Sequence, residues 1–130
     1  MFDVKSILSF LRDYELDRQS VQFLHDELAR LTEMKTELPA SSQGALDEEY
    51  GQLQARLLVM SNRVSRIERL LSNLTPEEQL VVDNMIVHPY KNCTFDLMEQ
   101  LECERTTVYK LRARAVKKLC RLYYGADTGT

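Results

Sequence analysis

Apolar residues recur along this chain at steps of three and four with few interruptions, the spacing of helices that bury one stripe. Residues 2–38 contain no Gly or Pro. Within them Val4, Ile7, Leu11 and Tyr14 keep one register, and Val21, Leu24, Leu28, Leu31 and Leu38 keep another. The phase slips near Arg18, where the first register calls for an apolar side chain, which predicts a stammer or a local helix break around Tyr14–Arg18. Arg18 itself reads as a rim residue with a snorkelling stem. Pro39-Ala-Ser-Ser-Gln-Gly44 has the composition of a linker. A second long helix is predicted from about Leu46 to Asn73. Leu46, Tyr50, Leu53, Leu57, Met60, Val64, Ile67, Leu71 and Leu74 follow alternating steps of four and three, the pattern of a coiled-coil seam. Two such helices on a short loop are expected to lie antiparallel, as a hairpin.

Phe10, Leu16, Phe23, Leu58 and Leu70 lie off that seam and widen the apolar face beyond what two helices bury in each other. This points to a second copy, packed as a homodimer or higher oligomer through residues 1–73. The alternative is a hairpin folded back on its own C-terminal part.

Thr75-Pro-Glu-Glu78 is a helix start: Thr75 as N-cap, Pro76 at the first helical position, Glu78 closing a capping box. That helix is expected to continue through Val87 and stop before Pro89. Tyr90–Cys93 reads as a loop, Thr94 as the next N-cap and Phe95–Leu101 as a two-turn helix. Glu102-Cys103-Glu104 makes a bend and Arg105–Tyr124 forms the last helix, capped by Gly125. Ala126–Thr130 is read as a disordered tail. The expected fold class is thus all-α: a long antiparallel helical hairpin (residues 1–73), then a three-helix unit (residues 74–125). Gly and Pro together number seven, too few for a strand-and-turn architecture.

Charge sharpens the picture. The net charge is −3, yet between Arg105 and Arg121 there are seven basic residues and no acidic one. A basic pI is absent, so any nucleic-acid contact has to come from this local stripe. A short basic helix behind a helix and a bend is the arrangement that enters a DNA groove.

Other chemistries find little purchase. Cys93, Cys103 and Cys120 are odd in number and lack C-x-x-C spacing, so they read as packing residues and not as a disulfide framework or metal site. His25 and His88 lie in predicted helices without catalytic partners, and no Gly-rich phosphate loop is present; no cofactor, metal or enzyme activity is expected. No apolar run reaches the roughly 18 residues of a membrane span, and MFDVKSILSF lacks a cleavage site. A cytoplasmic location is the expectation.

The stretch LTPEEQLVV (74–82), then FDLMEQL, a three-residue turn and RTTVYKLRARAVKKL resembles the fourth region of sigma-seventy-type sigma factors. That region is a helix-turn-helix reading the promoter −35 element, and the likeness covers residues 74–122. The preceding helices, with LRDYELDRQSV, resemble the phage-encoded ArpU/RinA-type regulators of late packaging and lysis genes. The resemblance implies that Leu97 and Leu101 anchor the first helix of the motif and that Cys103 is the apolar turn residue. It also implies that Val108, Leu111, Ala115 and Leu119 face inward on the recognition helix. Arg105, Thr106, Tyr109, Lys110 and Ala113 are then exposed near the helix start, where side chains reach base edges. Thr107 joins Thr106 in hydrogen-bonding to DNA or capping, and Arg112, Arg114, Lys117 and Lys118 are placed for phosphates. Two positions depart from the pattern. Glu102 stands where many relatives have Gly, and Glu104 where many have a Ser cap; both acids oppose phosphates, although Glu104 could accept from a cytosine amino group. The function implied is a sequence-specific double-stranded DNA-binding regulator that positions host RNA polymerase. The alternative is a coiled-coil protein whose C-terminal unit binds polymerase or another protein.

Overall fold

The computed structural model describes residues 4–125 and is all-α, with no strand among those residues. Helix α1 is Val4–Glu37 and α2 is Gln43–Leu71. A single 3₁₀ turn, Ala40–Ser42, follows Pro39 between them. Shorter helices come after: α3 Pro76–Val82, extended by a π-helical turn over Asp83–Val87, then α4 Cys93–Leu101 and α5 Arg105–Tyr124.

The long helices run antiparallel. Asp17 on α1 pairs with Arg63 on α2 at 3.2 Å, and Lys35 near the end of α1 pairs with Asp47 near the start of α2. Gln43 closes the turn, its Nε2 donating to the carbonyls of Lys35 and Leu38.

Two compact units divide the chain. One unit takes in the chain through Glu15 and again from Arg66 onward; the other is Leu16–Ser65. The helix break expected at Tyr14–Arg18 is not there, for α1 is continuous. The phase slip instead falls where the unit boundary falls. Ile7 and Leu11 belong to the core shared by α2, α3 and α5, whereas Leu24, Leu28 and Leu31 are buried within the Leu16–Ser65 unit. A change of packing partner shifts the stripe without interrupting the backbone.

In the first unit Ile7, Leu11, Ile67, Leu70, Leu74, Val82, Ile86, Ala115 and Leu119 form one cluster. Phe10 and Leu70, expected on an outward face, are used there. Leu70 is buried, and Phe10 packs against Tyr123 as a tilted ring pair, 5.3 Å between centroids. A second cluster, Val81, Leu97 and Val108, is flanked by Leu101, Cys103 and Leu111 and joins α3, α4 and α5.

Three local readings change. Helix α2 starts at Gln43, ahead of Leu46. Asn92, at φ 69°, caps α4 in place of Thr94, and no side-chain bond supports that cap. The third helix widens before Pro89: the His88 N–H donates to the Asp83 carbonyl at 2.8 Å, five residues back, which is π-helical bonding. The tail at 126–130 lies outside the described residues.

Candidate nucleic-acid interface

Helix α3 is set first. Thr75 sits extended at φ −67°, ψ 161°; its hydroxyl accepts from the Glu78 N–H at 3.2 Å, and Glu78 Oε1 accepts from the Thr75 N–H at 2.9 Å. This is the capping box expected from sequence, with Pro76 behind it. Gln79 Nε2 donates to the carbonyls of Leu71 and Leu74, so the end of α2 and the start of α3 are stitched together.

Glu78 does more than cap. Its side chain is fully buried, and it also accepts from two cations on α5: Lys118 Nζ on Oε1 at 2.7 Å and Arg114 Nε on Oε2 at 3.0 Å. Burial pushes this carboxyl's pKa up. Hydrogen bonds from Lys118, the Thr75 backbone and Arg114 outweigh it, holding the group at about 2. Sequence reading gave Glu78 only its local role; its partners lie 36 and 40 residues away, and no local signal marks such a pairing.

The bend between α4 and α5 follows. Glu102 adopts φ 51°, ψ 50°, the left-handed conformation that suits the Gly which the resemblance places at this position. A residue with a Cβ is strained there by about 1 kcal/mol. The Cys103 N–H reaches back to the Met98 carbonyl at 3.1 Å, so the last turn of α4 is closed despite that strain. Glu104 is extended at φ −81°, ψ 162° and caps α5 through its carbonyl, which accepts from Thr107 and Val108; its carboxylate makes no capping bond.

Helix α5 is anchored along one side by Val108, Ala115, Val116, Leu119 and Cys120. The opposite side is open. Arg105, Thr106, Thr107, Tyr109, Lys110, Ala113 and Lys117 are exposed, and Arg112 is half-buried. The Arg105 guanidinium stands 6.0 Å from the Tyr109 ring centroid, a spacing at which cation and ring still attract. Of the nine residues expected to contact DNA, two are committed elsewhere: Arg114 and Lys118 compensate Glu78. Arg114 engages only Nε and keeps a side chain 62% exposed, so its outer edge still meets solvent; Lys118 is half-buried. Among the described residues no carboxylate pairs with Arg105, Lys110, Arg112, Lys117 or Arg121.

Arg66 and Arg69 escaped the sequence reading. With Leu70, Asn73, Leu122 and Tyr123 they line a hollow of about 480 Å³ at the far end of α5. They belong to α2 and are brought beside Leu122 and Tyr123 of α5 only through folding. His88, expected as a helix-end residue, caps the π turn and bridges two carboxylates, Nδ1 to Asp83 at 3.0 Å and Nε2 to Glu15 at 3.3 Å. The Asp83 bond raises its pKa against the opposing effect of burial.

No group of His, Cys, Asp or Glu among the described residues is arranged to hold a metal. No described helix is long and apolar enough to cross a membrane. Compared with protein-family models, with curated proteins and with solved structures, the chain matches none.

Proposed function

We propose that this chain is a sequence-specific double-stranded DNA-binding transcriptional regulator, of the kind that controls phage late packaging and lysis genes. In this reading α4 and α5 act as a helix-turn-helix, α5 lies in the major groove, and the chain works in the cytoplasm as a homodimer or higher oligomer. Host RNA polymerase is the partner that bound protein positions. One observation carries the reading: α5 has no acidic residue, is fixed by its inner side, and turns Arg105, Thr106, Tyr109, Lys110 and Lys117 outward. A groove-reading helix has to present its first turns in this way, with base-contacting side chains ahead of phosphate-contacting ones. The likeness of residues 74–122 to sigma region four supports the same assignment.

A second reading has its own observation. Glu102 and Glu104 are both exposed at the entrance to α5, where they oppose phosphates. They suit a protein partner, polymerase included, better than a duplex.

Salt titration on a duplex selected from a random library separates the two. Neutralising on the order of five phosphates gives a log affinity that falls with log salt at a slope of about −4.5. Arg112→Glu/Lys117→Glu is expected to flatten that slope by about two and to weaken binding on the order of 100-fold. A double variant that binds the duplex as tightly as the parent would remove the DNA reading and leave the protein-partner one.

A further inference from the structure

The Leu16–Ser65 unit carries an apolar groove that no described residue of that unit fills. Phe23 and Val59 stand on its two sides, 61% and 59% exposed, with Gln19, Ser20, Ala55 and Arg56 completing a hollow of about 760 Å³. The exposure follows a pattern. On α1, Leu16, Ser20 and Phe23 step by four and three, and Met34 lies on the same line further along, so they share a flank separate from the Leu24–Leu28–Leu31 stripe. On α2, Leu57 faces the hairpin seam. Leu58 and Val59 follow at roughly 100° each, and so emerge on opposite flanks. Only Val59 joins the groove. Leu16, Phe23 and Val59 thus give one flank an apolar patch toward its open end, with the Glu27–Arg30 pair lying between Phe23 and Met34, while Leu58 projects from the other flank.

Charge along the same unit is polarised. Between residues 26 and 49, the loop end, seven carboxylates face Arg30 and Lys35, a net of −5. In residues 16–25 and 50–65, the open end, Arg18, Arg56 and Arg63 outnumber Asp17, a net of +2. A hairpin polarised in this way complements a second copy turned end for end.

We infer that the Phe23/Val59 flank is the self-association face, and that a second copy of this chain packs on it antiparallel, setting the acidic loop end of each hairpin against the basic open end of the other. A parallel pairing would stack the two loop ends, −5 on −5. The available area is adequate: a strip about 33 Å long and two helices wide covers on the order of 600–700 Å² per copy, within reach of a standard interface. This deepens the self-association within the proposed function by naming face and direction. It does not depend on DNA, so its test contains none.

Sedimentation velocity on the full chain at tens of micromolar is expected to show a dimer. Phe23→Glu should shift it to monomer with helical circular dichroism unchanged, because the side chain replaced is exposed. Leu58→Glu, on the other flank, should leave the dimer intact. Direction is read with a photo-crosslinking amino acid at Ser41 in the loop. Crosslinks to the partner copy within residues 16–20 or 59–65 support antiparallel packing; crosslinks within 38–45 overturn it. A monomeric parent chain, or a dimer that survives Phe23→Glu and dissolves with Leu58→Glu, overturns the face itself.

Discussion

The same two helices, α1 and α2, behave differently along their lengths. Where they belong to the unit that includes α3–α5, Ile7, Leu11, Ile67 and Leu70 are buried. Within the Leu16–Ser65 unit, the seam residues of α2 (Leu46, Tyr50, Leu53, Leu57) remain half-buried, and Leu16, Phe23, Leu58 and Val59 are open to solvent. The sequence pattern is equally apolar in both stretches. What differs is the number of neighbours: a helix with one partner seals about one stripe, and a third element is needed to close the flanks.

The comparison breaks most readily at its best-sealed point. Leu119→Ala should cost about 3 kcal/mol of stability, as a cavity with no room to relax, whereas half-buried Leu57→Ala should cost about 1. Urea denaturation followed by circular dichroism measures both, and equal losses would erase the distinction. Next in size comes the buried carboxylate. Glu78→Ala removes the reciprocal half of the α3 capping box and the α3–α5 link together and should cost about 2 kcal/mol; Arg114 and Lys118 recover water on their open sides, which keeps the loss below that of a fully enclosed pair. Because the folded Glu78 pKa lies at about 2 against an ordinary 4.5, its contribution is present above pH 4.5 and is lost as pH falls toward 2. Acid titration of parent and Glu78→Gln should therefore converge in that window. Glu102→Gly relieves a left-handed residue and should stabilise by about 1 kcal/mol, seen as a higher urea midpoint. Smallest is His88. Its raised pKa means that its ion pairs stabilise fully below the ordinary 6.5 and fade as pH rises through the folded value. At this exposed site His88→Ala should cost a few tenths of a kcal/mol at pH 6 and nothing at pH 9.

Much of this was legible in the residues. The capping box at Thr75–Glu78 follows from local chemistry, which survives folding unchanged, and the left-handed Glu102 and the inward set Val108, Ala115 and Leu119 stand where the resemblance to sigma region four implied them. What escaped was long-range. The slip at Arg18 was visible, but a one-dimensional pattern cannot say whether a slip breaks a helix or changes what the helix packs on. Phe10 and Leu70 read as surplus on a two-helix seam because their partners, among them Tyr123, lie far along the chain. The bond from Glu78 to Lys118 was invisible for the same reason, and with it the partial withdrawal of two cations from the basic face.

That carboxylate also governs the roll of α5. By gripping Arg114 and Lys118, one turn apart on the same side, it acts as a detent on rotation about the helix axis. A roll of a single position, roughly 100°, would replace each outward side chain of α5 by its neighbour in sequence. Whatever meets that side therefore encounters a pattern of donors set in advance, with little freedom to turn and accommodate it.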